Sequence, residues 1–313
     1  MSRIQHPDPA SPQRRRWLAG AALVAALPGV ASAQATSPVI TRRIPSTGEA
    51  VPVVGLGTWI TFNVGEDPMA RDACAEVVRA FFESGGRMID SSPMYGSSQP
   101  TIGHALSKLG KPSSTVFSAE KVWVGDVARG AAQMEASRAH WRVARFDLMQ
   151  VHNLLSWREH LPRLLDMKAS GQLRYVGIST SEGRRHPELE NIMRTQPIDF
   201  VQLTYNLLDR EVEQRLLPLA QERRIAVIAN RPFRQGALLD QLGRHPLPGW
   251  AREIDCDGWA QVALKFAVSH PAVTCAIPAT SQVAHVRQNM GAARGRMPDA
   301  SLRARMSRDV AAL

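Results

Sequence analysis

Three short apolar runs in this chain end in side chains that can move or steer a proton. "GGRMIDSSPMYGSS" (85–98) carries a buried-strand pattern, Arg87-Met88-Ile89-Asp90, that runs into a carboxylate, and a phenol follows at Tyr95. "TVFSAEK" (115–121) ends in Lys121, and "FDLMQVH" (146–152) ends in His152. A phenol of ordinary acidity is a poor proton donor at neutral pH. An ammonium beside it stabilises the phenolate and lowers its pKa, and a carboxylate keeps that ammonium charged. An imidazole can hydrogen-bond the oxygen that the phenol protonates. Together the four side chains could protonate an oxyanion as it forms. Each alone has a plainer reading: Asp90 as a turn cap, Tyr95 as a rim aromatic, His152 as a core histidine, Lys121 as a surface amine. Their shared placement at strand ends favours chemistry.

Holding these groups on one face requires a repeated frame. From residue 51 onward, β-rich apolar runs alternate with helix-period stretches. The other runs are "VVGLGTW" (53–59), "RYVGIST" (174–180), "DFVQLTYN" (199–206), "IAVIAN" (225–230) and "VTCAIP" (273–278), giving eight in all. Between them, "RDACAEVVRAFFESGG" places Ala73, Val77, Phe81 and Ser84 on one helical face and stops at Gly85-Gly86. Pro187 and Pro218 suit first-turn positions, and "DGWAQVALKFAVSH" runs from Asp257 to a stop at Pro271. Eight strand–helix units in about 280 residues predict one (β/α)8 TIM barrel over residues 34–313. A doubly wound sheet would show a glycine fingerprint after its first strand, and "GLGTW" lacks the continuation. "VITRRIPSTGEAV" (39–51) reads as an N-terminal β-hairpin, turning at Thr47-Gly48 and capping the barrel floor. "GRHPLPGWAREIDC" (243–256) has two prolines and no period, so it is expected to fold over the barrel mouth as a loop.

In order and spacing, these segments resemble the aldo-keto reductase superfamily from about Val51 to Asn289. The resemblance implies the barrel and the reduction of an aldehyde or ketone by a nicotinamide cofactor, NADP(H) preferred and NAD(H) possible. "GGRMIDSSPMYG", "AEKVW" and "DLMQVHN" are similar to the family's catalytic segments. By that similarity Tyr95 is the general acid, Asp90 and Lys121 tune it, and His152 positions the carbonyl. "VGIST" resembles the segment that holds the carboxamide, implying Ser179, with Thr180 where an asparagine is usual; Gln202 is a further carboxamide contact. "VIANRPFRQGAL" is similar to the segment that receives the nicotinamide ring and pyrophosphate. It implies Asn230, in place of a stacking aromatic, and Arg231, with Arg234 as a further phosphate candidate. "AIPATSQVAHVRQN" resembles the adenine-phosphate segment, implying Thr280, Ser281 and Asn289. Ala279 stands there where lysine is frequent, and His285 takes the usual arginine position. Trp59, Trp123, Asn153 and Trp157 lie just past strand ends and are candidates for the substrate pocket. No metal-ligand set is expected.

The first 33 residues follow another pattern. Arg14-Arg15-Arg16-Trp17-Leu18 precedes the apolar run "LAGAALVAALPGVASA", which ends in Ala31-Ser32-Ala33. That order predicts a cleaved twin-arginine signal peptide, the twin-arginine export machinery as a partner, and a periplasmic location. The run is too short to span a core of ~30 Å, and Pro28 and Gly29 interrupt it, so no stable membrane insertion is expected. The chain's formal charge is +10, and after residue 33 the arginines are scattered rather than gathered in a Lys/Arg block, which argues against nucleic acid as a partner. Its three cysteines, Cys74, Cys256 and Cys275, are expected as buried thiols. Two other functions remain open at this stage. The departures at Asn230 and Ala279 suit an exported, cofactor-bound redox sensor or binding module with little turnover. Lys121 could also serve as a Schiff-base amine, as in aldolases.

Overall fold

The computed structural model describes residues 37–110, 115–181 and 183–313. The signal peptide expected over residues 1–33 lies outside the described residues. The described chain begins with the expected hairpin: β1 (Thr41–Arg43) pairs antiparallel with β2 (Ala50–Pro52). Gly48 turns it at φ +77°, a left-handed conformation that glycine adopts without steric cost.

Eight parallel strands follow: β3 (Leu56–Gly57), β4 (Met88–Asp90), β5 (Phe117–Val122), β6 (Leu148–Val151), β7 (Tyr175–Ser179), β8 (Phe200–Thr204), β9 (Ala226–Asn230) and β10 (Val273–Ala276). They pair in sequence order. The ring closes where Gly55 N–H donates to Ala276 O at 2.8 Å and Ala276 N–H donates to Val53 O at 2.9 Å. Each strand lies within or overlaps one of the runs quoted above, and the architecture is a (β/α)8 barrel with a capping hairpin. The helices are α1 (Pro68–Glu83), α2 (Ser98–Lys108), α3 (Gly130–Trp141), α4 (Trp157–Ala169), α5 (His186–Thr195), α6 (Leu216–Glu222), α7 (Ala237–Leu242), α8 (Trp259–Ser269), α9 (Val283–Gly291) and α10 (Ala300–Ala311).

Strand parity decides what the barrel holds. Successive side chains on a strand point to opposite faces. On β5, Phe117, Ala119 and Lys121 therefore share the inner face, and Glu120 and Val122 share the outer one. Met88, Phe117, Leu148, Tyr175 and Phe200 fill the lower interior, and Ile44 and Val51 of the hairpin plug it from below. One or two steps further along the inner face, the same strands deliver Asp90, Lys121, Gln150, Ser179 and Gln202. The interior is thus apolar at the floor and polar towards the mouth, so the chemistry-bearing groups rest on a dry, packed base.

Two sequence expectations need correction. In α1 the buried stripe is Cys74, Val77, Val78 and Phe81, whereas Ala73 is exposed. The helix begins earlier than expected, at Pro68, where Asp67 accepts the N–H groups of Met69 and Ala70 at 2.9 and 3.2 Å. Residues 243–256 do not cover the mouth. Trp250 is buried and donates its indole N–H to Asp309 of α10 at 2.8 Å, and Lys265 of α8 donates to Ile254 O at 2.6 Å. These contacts hold the segment against α8 and the C-terminal helix.

Candidate active site

The four strand-end groups meet at the barrel mouth. Lys121, fully buried, donates to Asp90 Oδ1 at 2.6 Å and to Ser91 O at 2.6 Å. Its Nζ lies 5.1 Å from the centre of the Tyr95 ring. The Tyr95 ring meets His152 edge-on with centroids 5.9 Å apart. Asp90, Tyr95 and His152 line a cavity of about 600 Å³.

Burial works against the charge on Lys121, but Asp90 chiefly, with Tyr95 and Glu120, outweighs it and holds the amine above its ordinary pKa. The group is an ammonium, which leaves no free amine for Schiff-base chemistry. Burial raises the Tyr95 phenol, Lys121 pulls it down, and Asp90 pushes it up again; the net direction is upward. The sequence expectation of a net lowering is corrected in this respect, although the contribution of Lys121 has the expected sign. A raised phenol keeps its proton at neutral pH and has a cation beside it when the proton leaves. The cation is what fits it to act as a general acid, because it restores part of the acidity that burial removes.

His152 is pushed down to about 2 by burial and by the charge on Lys121, so its imidazole is neutral. Its Nδ1 sits 3.0 Å from Ser179 Oγ, and the same oxygen accepts the Asn153 backbone N–H at 3.4 Å. An oxygen that accepts there has its own proton free for Nδ1. In the tautomer in which Nδ1 accepts that proton, the ring proton lies on Nε2 and can donate to a carbonyl oxygen.

The residues implied for cofactor binding divide into two groups. Ser179, Thr180, Gln202, Asn230, Arg231, Thr280 and Asn289 line the cavity. Ser281 does not; it is exposed beyond the lining. Gln202, expected as a carboxamide contact, also donates to Asp90 Oδ2 at 2.9 Å and so steadies that carboxylate. Asn230 is held at both ends of its amide: Nδ2 donates to Thr180 O at 3.1 Å, and Oδ1 accepts from Thr204 at 2.9 Å. In place of an aromatic platform, it ties the ends of β7, β8 and β9 together.

Of the substrate-pocket candidates, Trp59 and Asn153 line the cavity and Trp123 does not. Trp123 is 38% exposed, and its backbone N–H and C=O bond to Gln133. Trp157 is also outside the lining and donates to Glu188 at 2.7 Å. Arg234 is paired with Asp209 at 3.2 Å.

Several lining residues were not anticipated: Ile60, Met94, Phe233 and Gln288. Gln150 was also missed; it donates to Asp90 Oδ2 at 3.4 Å from inside the barrel. Its parity with His152 in "DLMQVH" was the available signal. The three cysteines are free and buried. Burial pushes Cys74 to about 11 and Cys256 to about 12, which makes them poor nucleophiles. Among the described residues, no helix is long and apolar enough to cross a membrane.

The model of the "Aldo/keto reductase family" matches residues 53–304. The chain belongs to the aldo/keto reductase family and is an oxidoreductase of that NAD(P)-dependent type. It is 30% identical to the methylglyoxal reductase YeaE of Escherichia coli (strain K12) over 258 residues, covering 79% of this chain and 88% of that protein. It is 26% identical to the NADH-specific methylglyoxal reductase of the same organism, over 67% of this chain and 73% of that one. Among solved structures, an aldo-keto reductase from Klebsiella pneumoniae in complex with NADPH superposes with a TM-score of 0.72 at 27% identity, covering 87% of this chain and 95% of that one.

Proposed function

We propose that this protein reduces a small aldehyde or ketone with a hydride from NADPH, or less readily NADH, and a proton from Tyr95. The observation that carries the reading is the buried Lys121–Asp90 pair at 2.6 Å beneath a protonated phenol that faces the cavity. The cavity suits a nicotinamide nucleotide. It is one cleft of about 600 Å³, running from Trp59 and Met94 at the strand ends, past the amides and hydroxyls of Ser179, Thr180 and Asn230, to Thr280, Gln288 and Asn289. When bound, the nucleotide supplies the hydride. The chain's own groups do the rest. His152 Nε2–H orients the carbonyl oxygen, Tyr95 gives it a proton, and Lys121 stabilises the phenolate left behind. Asp90, steadied by Gln202 and Gln150, holds Lys121 in its charged form.

A 2-oxoaldehyde is the first substrate to try, because two relatives are methylglyoxal reductases. The test is NADPH consumption with methylglyoxal and a panel of aldehydes and ketones, with the alcohol product quantified. Stoichiometric alcohol formation is expected. Tight nucleotide binding without consumption would favour the sensor reading; of the two departures that motivate it, the one at Asn230 is explained by its structural bonds to Thr180 and Thr204.

The reaction is further proposed to take place in the periplasm, reached through the twin-arginine exporter on residues 1–33. Lysine in place of Arg14 and Arg15 is expected to retain the chain in the cytoplasm. Undiminished export of that variant would refute the route.

A further inference from the structure

Glu120 adjoins Lys121 on β5, but strand parity points it out of the barrel, into the layer beneath α2 and α3. It is fully buried. Its Oε1 accepts the backbone N–H of Lys121 at 2.8 Å. Its Oε2 accepts Gln99 Nε2 at 3.0 Å and the indole N–H of Trp141 at 2.7 Å. Gln99 is fixed in turn by Ser137 Oγ at 2.8 Å. Backbone and indole N–H groups can only donate. Both oxygens must therefore accept, which suits a carboxylate better than a protonated acid.

The surroundings supply little else that is charged. Beside Glu120, β6 brings Met149, α2 brings Gln99, and α3 brings Ser137 and Trp141; none of these ionises. The charged or titratable groups coupled to it are Lys121, on its own strand, and Tyr95, beyond β4. A buried carboxylate demands a compensating cation, and here that cation is the one Asp90 already holds.

We infer that Glu120 is a positioning residue for the proton-donating pair: it pins the Lys121 backbone and, as a second counter-charge behind the strand, sets how acidic the Tyr95 phenol is. It touches neither substrate nor cofactor and acts through Lys121 and Tyr95. Burial pushes its carboxyl up to about 7, against the opposing pull of Lys121 and three N–H donors. Its charge therefore changes near neutrality. Once ionised, it holds the proton on Tyr95 more firmly, so proton delivery slows as pH rises through that point.

The inference rests on the proposed reductase function, and its test has two arms. Carbon-13 NMR of the chain labelled at glutamate carboxyls needs no substrate. It is expected to show one glutamate titrating near pH 7, and that signal should vanish in Glu120→Gln. Single-turnover hydride transfer from NADPH to methylglyoxal is expected to fall roughly threefold across neutrality in the wild type and to stay flat in Glu120→Gln. Trp141→Phe removes one N–H donor and should move the step to higher pH, which keeps the test open if the Glu120 variant does not fold. Glutamates that all titrate in the ordinary carboxylate range, or a pH step unchanged in these variants, would overturn the inference alone. No transfer from the wild type at any pH would overturn the reductase function, and this inference with it.

Discussion

At the scale of single residues, the site depends on keeping His152 neutral and Lys121 charged. The unfolded chain binds a proton on residue 152 near the ordinary histidine pKa, but the folded chain refuses it until about 2. Stability from this group is therefore complete above the unfolded pKa and is lost as pH falls below it. The slope is up to ~1.4 kcal/mol per pH unit. His270, pushed down to about 4 by burial and Arg303, adds a second share of the same sign over the upper part of that window. Denaturation of His152→Gln is expected to show a shallower loss of stability between neutral and mildly acidic pH than the wild type; an identical slope would contradict a neutral buried imidazole. Asp90→Asn removes the carboxylate in direct contact with the buried Lys121 ammonium and is expected to lower stability by about 3–5 kcal/mol in chemical denaturation.

At the scale of elements, close approach matters more than propensity. A Cβ added to Gly103 would sit 1.9 Å from His140 O, so the contact between α2 and α3 depends on glycine at that position. Gly103→Ala is expected to destabilise by about 1–3 kcal/mol through overpacking, read as a lower thermal midpoint with the same strand content. The two helices would separate over Gln99 and Trp141, so the same variant should also disturb the bonds to Glu120.

The strands were legible in the sequence because runs of Val, Ile and Leu bounded by turn residues leave few alternatives in an alternating chain. Asp90, Lys121 and His152 were legible because each ends such a run. The loops were harder. Asn153, Leu154 and Ser156 all adopt positive φ just past His152, and Arg231, Arg234 and Gln235 do the same past β9. None is a glycine, and apart from Asn153, whose residue type tolerates this region, local sequence gives no sign of conformations that tertiary contacts impose. Trp123 illustrates the consequence: a strand-end position alone does not decide whether a side chain turns into the cavity or out to solvent.

At the scale of the whole molecule, the barrel separates stability from chemistry. The hairpin and the apolar floor rigidify one end, and the polar layer opens at the other. Nucleotide binding should therefore be visible as added stability before any turnover. At a concentration a hundredfold above Kd, NADPH is expected to stabilise the fold by ~2.7 kcal/mol, read as an upward shift in the melting midpoint. NADH should give a smaller shift of the same sign, and the difference should be modest, because Ala279 and the exposed His285 put no lysine or arginine at the adenine-phosphate segment. The claim on which the rest depends is that Tyr95 delivers the proton. Stopped-flow measurement of one turnover, comparing wild type with Tyr95→Phe at matched NADPH occupancy, tests it most directly. Carbonyl reduction is expected to slow by roughly 10²–10⁴ in the variant while nucleotide affinity is unchanged. Transfer at the wild-type rate without the phenol would contradict the account.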